Sequence, residues 1–258
     1  MNQISDISHI NILTIPGIVA FSTCRGCVID GDNYSGFNVC HYTGDEENHV
    51  EQCREQLCAM LGINRDNLII PRQTHSLNIA VVDEIPFDTS RLENIDALVT
   101  TLPNVAIAVN TADCVPLVFV EEEAGIIAVA HSGWKGTVGC IASKTVAQMI
   151  ACGADASRIK VAMGPCICGD CFEVGDEVVE QFVKNRFDAP QIILNGYCER
   201  SHIDLPQACR KSLLEAGVLD ENIALPKECS RCNPQKFFSA RRLGINSGRT
   251  LTIAVRKV

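Results

Sequence analysis

The sequence predicts an α+β fold, a single domain over residues 1–258 in which helices cover mixed sheets. Several stretches space their apolar residues as one face of a helix. Short β-branched and apolar runs lie between them, and some follow each other with no helix between, which favours mixed or antiparallel pairing over a doubly wound parallel sheet. No repeat, low-complexity tract or Pro/Gly/Ser-rich linker marks an internal boundary.

In chain order, HVEQCREQLCAMLG (49–62) sets Val50, Cys53, Leu57, Cys58 and Leu61 on one helical face, and Gly62 is a natural stop. LIIP (68–71), NIAVVD (78–83), DALVTT (96–101), VAIAVN (105–110), VPLVFV (115–120) and GIIAVAH (125–131) read as strands. TVGCIASKTVAQMIACG (137–153) reads as one helix carrying Val138, Ile141, Ala142, Thr145, Met149 and Ile150. IKVAMG (159–164) is a strand, VGDEVVEQFVKNR (174–186) a helix, and DLPQACRKSLLEAG (204–217) a helix with Asp204 as N-cap. TLTIAV (250–255) closes the chain as a strand.

The net charge of −9 and pI near 5.2 argue against a nucleic-acid polymer as partner, because neutralising many phosphates needs a basic face. The opening MNQISDISHINILTIPGIVA has no basic n-region and no small-residue cleavage site, and no apolar run approaches the roughly 18 residues of a membrane span. The expectation is a soluble, cytoplasmic protein whose 15 cysteines, an odd number, are mostly reduced thiols.

VPLVFV and GIIAVAH, joined by acidic residues, read as a hairpin. With Glu121–Ala124 as its loop, Val120 faces Gly125 and Cys114 stands opposite His131, where Cα atoms are about 4.5–5.5 Å apart. His75, in the polar turn RQTHS between two apolar runs, is a third polar candidate. Two histidines and one cysteine suit zinc with a fourth position left open, whereas Cys114 and His131 alone suit a thiol nucleophile and its base. Cys24/Cys27, Cys168/Cys171 and Cys229/Cys232 each form CxxC; two such pairs could hold a four-thiolate metal, with plain thiols or local disulfides as the default.

The segments GFNVCHYTGD (36–45), RQTHS (72–76), DALVT (96–100), TADCVPLVF (111–119), AHSGWKGTVG (130–139), GPCICGDCFEVGDEV (164–178), IDLPQACRKSLLEAGV (203–218) and CSRCNPQKFFSARRLGINSGR (229–249) together resemble the YfiH/YlmD family. That family is related to laccase domain-containing protein 1 and was once called multicopper polyphenol oxidoreductases. The resemblance implies a four-layer α/β/β/α arrangement related to toxin-type deamidases and a zinc held by His75, Cys114 and His131. It also implies phosphorolysis of adenosine, inosine or 5′-methylthioadenosine to base and ribose 1-phosphate, with deamination of adenosine. The small-molecule partners would then be a purine nucleoside and phosphate.

Deamination needs water made nucleophilic at neutral pH, which a zinc site supplies, and a proton carrier, for which Asp113 beside Cys114 is the candidate; its other reading is a turn residue supporting the ligand. Asn38, Lys135 and Arg241 are the candidate substrate contacts, with Arg72 and Arg242 as further cations for phosphate. Trp134, Phe237 and Phe238 are candidates to stack a purine, core packing being the other reading of the two phenylalanines. Lys135 stands where the family frequently has Arg, which is not neutral where a bidentate phosphate contact is wanted. The competing reading is a Cys-His thiol hydrolase acting on an amide such as a peptidoglycan precursor, with Cys114 and His131 catalytic and His75 dispensable. A full multicopper oxidase centre is excluded by arithmetic, since it demands about ten imidazoles and this chain has 6.

Overall fold

The computed structural model describes residues 7–194 and 200–257, so positions 1–6 of the stretch read above for targeting signals lie outside it. Among the described residues the chain runs β1 (His9–Ile15), β2 (Ile18–Thr23), α1 (Glu47–Leu61), β3 (Leu68–Ile69), β4 (Ile79–Val82), β5 (Ala97–Thr100), β6 (Ala106–Thr111), β7 (Val115–Glu121) and β8 (Ile126–Ser132). It continues with α2 (Trp134–Val138), α3 (Ile141–Ala151), β9 (Lys160–Met163), α4 (Asp176–Lys184), β10 (Ile193–Leu194), β11 (His202–Ile203), α5 (Leu205–Glu215), β12 (Ile223–Ala224), α6 (Ala240–Leu243) and β13 (Thr250–Arg256). None of these helices is long and apolar enough to cross a membrane.

Two sheets carry the fold: a five-stranded one in the order β1-β2-β13-β6-β3 and a six-stranded one in the order β12-β9-β7-β8-β5-β4. Both are mixed. β3 with β6, β4 with β5 and β12 with β9 are parallel, and the remaining pairs are antiparallel.

Alternation of side chains along each strand explains why so many strands read as unbroken apolar runs: the sheets are covered on both faces. Ile107 and Val109 of one sheet meet Leu98, Val118, Ile127 and Val129 of the other, forming a core between sheets. On the outer face of the first sheet, Ala106, Ala108, Leu251 and Ile253 pack on Val50, Cys53, Leu57 and Leu61 of α1. On the outer face of the second, Val99, Leu117, Phe119 and Ala128 pack on α3 and α5 through Ile141, Val146, Met149, Ala208 and Leu213. Two helix caps expected from sequence are present: Gly62 ends α1 in the left-handed region at φ 62°, and the Asp204 carboxylate accepts from the Gln207 amide.

Three local expectations are corrected. The apolar pattern assigned no strand before residue 68, yet β1 and β2 form a hairpin about Pro16 and Gly17, the latter at φ +74°. The helix expected over 137–153 is two helices. The first starts earlier, at Trp134, and Cys140 at φ 59° turns the chain before α3 begins. A backbone reversal leaves no trace in apolar periodicity.

The third correction concerns the β7–β8 register, which pairs Pro116 with His131 and Glu121 with Ile126, so the loop is 122–125. Gly125 takes a left-handed φ of +64°, and the buried Glu121 carboxylate caps the loop by accepting from the amides of Glu123 and Ala124. Cys114 is thus not directly opposite His131 but displaced by two residues. An even displacement leaves both side chains on the same face.

Leu98 is fully buried between the sheets. Leu98→Ala is expected to lower unfolding stability by about 2–5 kcal/mol, the usual cost of an emptied core position, as measured by denaturant titration.

Candidate metal centre

His75, Cys114 and His131 converge. One donor atom from each lies within 4.8 Å of the other two, and Cys114 Sγ is 3.7 Å from His75 Nε2. The two imidazoles meet edge to face, with centroids 4.8 Å apart. Three separate pieces of chain supply them: the turn before β4, the residue ahead of β7 and the end of β8. His131 is buried, Cys114 half-buried and His75 exposed, so the cluster opens toward solvent on the His75 side. Gly133 gives the cluster its room, since a Cβ there would lie 2.6 Å from His75 Cδ2 and 3.0 Å from Cys114 Sγ.

Asp96, fully buried at the mouth of β5, organises two of these groups. Its carboxylate accepts from the amides of Thr74 and His75 at 3.1 Å, from the Ser76 amide and hydroxyl at 2.8 Å, and from His131 Nδ1 at 2.7 Å. Its carbonyl accepts from the His131 amide. His75 sits at φ 62°, a left-handed conformation that a non-glycine residue adopts at a cost, and the three successive amide bonds to Asp96 hold it there. Gln73 ties the same turn to the other sheet: its amide group donates to the Asn110 carbonyl and accepts from the Asn110 amide, both at 2.8 Å, as a strand would.

Burial would raise both the Asp96 carboxyl and the Cys114 thiol, but their partners prevail. The His131 hydrogen bond and charge, with Ser76, hold Asp96 below the ordinary carboxylate range. The charge of His131 and hydrogen bonds from His131 and His75 bring Cys114 down to about 6. Burial would lower His131, yet the Cys114 thiolate and the Asp96 carboxylate raise it to about 9. Without a metal, the pair is therefore a thiolate beside an imidazolium at neutral pH. The Asp96 carboxylate accepts a hydrogen bond from Nδ1, so Nε2 is the His131 nitrogen left for the cluster.

The other predicted residues divide. Asp113, at φ 89°, points its carboxylate into residues 230–241, accepting from Ser230 Oγ at 2.7 Å, Ser239 Oγ at 3.0 Å and the Arg241 amide at 2.7 Å. Of the two roles set out for it, these bonds describe the supporting one. Asn38 is fully buried, donating to Asp45 and accepting from the amides of Cys40 and Arg249. Phe237 and Phe238 are fully buried, which is the core-packing reading of the two. Lys135 is exposed on α2, its ammonium 5.6 Å from the Trp134 ring centroid. The Arg241 guanidinium donates twice to the Glu173 carbonyl and lies over Phe172. Arg242 donates to the Arg231 carbonyl. Arg72 pairs with Glu93 at 3.2 Å and lines a cavity of about 590 Å3 whose walls include none of the three cluster residues. Asp96 and Gln73 were not singled out from sequence; the available signal was an acid immediately ahead of the apolar run ALVT.

Two outcomes are expected. In metal-free protein, alkylation of Cys114 followed by peptide mass mapping should switch on with a midpoint near pH 6, since the thiolate is present above the lowered value and lost below it. Asp96→Asn should move that midpoint upward and weaken metal affinity by about 10–100-fold in a competition titration, because it removes the carboxylate that orients His131.

The fold has counterparts. The crystal structure of Bacillus licheniformis hypothetical protein YfiH superposes with a TM-score of 0.89 at 26% identity, covering 99% of this chain and 98% of that one. That of YlmD from Geobacillus stearothermophilus gives 0.83 at 30% identity, with 94% and 93% covered. Among characterised relatives, adenosine deaminase RL5 from an unknown prokaryotic organism is 51% identical over 251 residues, 95% of this chain and 96% of that protein. A purine nucleoside phosphorylase of Bacteroides thetaiotaomicron is 36% identical over 262 residues, 98% and 92% covered. Residues 18–257 match the family described as multi-copper polyphenol oxidoreductase laccase. With its fold and nearly its whole length in common with these proteins, the chain belongs to the YfiH/YlmD family of laccase-domain proteins.

Proposed function

We propose that this protein is a zinc-dependent purine nucleoside enzyme that cleaves adenosine, inosine or 5′-methylthioadenosine with phosphate to base and ribose 1-phosphate, and deaminates adenosine to inosine. The observation that carries the reading is the convergence of His75, Cys114 and His131 in a chain 51% identical to one protein named an adenosine deaminase and 36% identical to one named a purine nucleoside phosphorylase. The proposal takes residues 1–258 as one catalytic unit in a four-layer α/β/β/α arrangement related to toxin-type deamidases. Helix packing on the outer face of each sheet supports the layering.

The donor set fits zinc. Zinc bonds of about 2.0–2.1 Å to nitrogen and 2.3 Å to sulfur put tetrahedral N and S ligands about 3.6 Å apart, against 3.7 Å for His75 Nε2 and Cys114 Sγ. Bound there, zinc acts as a Lewis acid and activates water at neutral pH. The chain's own residues prepare that site. Asp96 fixes the proton of His131 on Nδ1, and the lowered Cys114 supplies a thiolate without a strong base. Lys135, exposed beside the cluster-bearing turn, and Arg241 are the proposed cations for phosphate; Arg241 is already half engaged by the Glu173 carbonyl, so Lys135 has the freer charge. Trp134 is the remaining aromatic able to stack a purine, being half-buried where the two phenylalanines are enclosed. Asp113 serves as a brace for the Cys114 turn; a shuttle role would require one of its three donors to move away.

The thiolate–imidazolium pair is the observation that favours the second reading, a thiol hydrolase. One experiment separates the two. In His75→Ala the zinc of this site should be lost, and the conversion of adenosine plus phosphate to adenine and inosine should fall by two or more orders of magnitude. Wild-type protein with no zinc at this site, no turnover of adenosine, and selective alkylation of Cys114 would discard the nucleoside reading in favour of an amide substrate.

A further inference from the structure

The cysteines differ in their surroundings. Cys40, Cys53, Cys58, Cys166 and Cys209 are buried one by one in the cores, as small apolar side chains usually are. Cys168, Cys171, Cys229 and Cys232 are instead gathered at the surface, with all four Sγ atoms within 4.8 Å of one another and those of Cys171 and Cys232 3.4 Å apart. Nothing in the His-Cys-His chemistry uses them. Cys24 and Cys27, the third CxxC of the sequence, belong to no such group among the described residues.

Two matched turns build the cluster. Around the first, the amides of Cys171 and Phe172 bond back to the Cys168 carbonyl; around the second, the Asn233 amide and side chain both donate to the Cys229 carbonyl. The turns are docked in parallel through a bridge of Cys166 with Cys229 and a bond from the Ser230 amide to the Cys166 carbonyl. The Cys168 amide donates to Cys229 Sγ at 3.4 Å, and Arg231 hydrogen-bonds Cys171. An amide N–H and a guanidinium directed at sulfur suit a cluster of thiolates, because four negative charges are not balanced by one divalent ion alone.

We propose that Cys168, Cys171, Cys229 and Cys232 bind a second, structural zinc ion as four thiolates. Four sulfurs around one zinc at about 2.3 Å form a tetrahedron with edges of about 3.8 Å, matching a group already within 4.8 Å. A four-iron cluster attaches each cysteine to a different corner iron and would hold the sulfurs farther apart. With four protein ligands there is no open position, so the ion is structural. Its place in the molecule explains what it would stabilise. The first turn adjoins Ile167, whose amide donates to the Asp113 carbonyl, and the second contains Ser230, which donates to the Asp113 carboxylate. The zinc clamps together the two segments that hold the residue before Cys114.

Zinc per chain, measured by mass spectrometry on wild type, His75→Ala and the double variant Cys171→Ser/Cys232→Ser, tests this. Two zinc ions in wild type and one in each variant are expected. A single wild-type zinc that survives His75→Ala and is lost in the cysteine variant would also uphold the site, while counting against a metal at the first one. The site is overturned if zinc content is unchanged in the cysteine variant, or if His75→Ala leaves none. Should the cysteine variant fail to fold, cobalt added to metal-stripped His75→Ala gives the answer. Intense sulfur-to-cobalt charge transfer with tetrahedral d–d absorption supports four thiolates, and its absence, or an iron chromophore in protein as purified, refutes them.

Discussion

The carboxylate of Asp96 is the group on which the rest of the site depends. Buried and charged, it is stable only because donors surround it: three consecutive amides, a hydroxyl and an imidazole. Those same bonds shape the His75 turn and fix the tautomer of His131. One side chain on one strand thereby positions two groups that lie 56 residues apart in the chain by the numbering of His75 and His131. Because Asp96 directly precedes a strand lodged in the core, its own position is tied to the sheet.

Sheet geometry makes that arrangement tolerant of error. Cys114 lies just before the first paired residue of β7, and His131 near the end of its partner β8, so both emerge at the same end of these two central strands of the six-stranded sheet. Gln73 attaches the third residue's turn to the five-stranded sheet while Asp96 attaches it to the other. The His75 turn thus bridges the two sheets. Packing between them, through Ile107, Val109, Leu98 and Val129, keeps the two attachments at a constant separation.

Cysteine serves three physical ends in this chain. Where apolar side chains enclose it singly, as at Cys166 and Cys209, burial pushes the thiol up and keeps it inert. Beside His131 the charge balance reverses, and Cys114 is a thiolate near neutrality. At the paired turns four sulfurs come together, with the Cys168 amide donating to Cys229 and Arg231 beside Cys171. Composition alone, 15 cysteines in 258 residues, does not distinguish these environments.

By itself the sequence determined the class of fold, most strands, the faces of α1 and α5 and the caps at Gly62 and Asp204, because each depends on apolar period or on a neighbour within a turn. It also pointed to His75, Cys114 and His131, since polar residues at the ends of apolar runs stand out locally. Tertiary structure alone decided what depends on contacts distant along the chain. The register of β7 and β8 was set by Gly125 and the Glu121 cap, and the division of 137–153 by a reversal at Cys140. Asp96 as organiser, Asp113 as a brace to Ser230 and Ser239, and Asn38 as an internal strut all follow from partners that no spacing rule connects. So does the choice of which two CxxC pairs meet, a choice made where Cys166 lies beside Cys229.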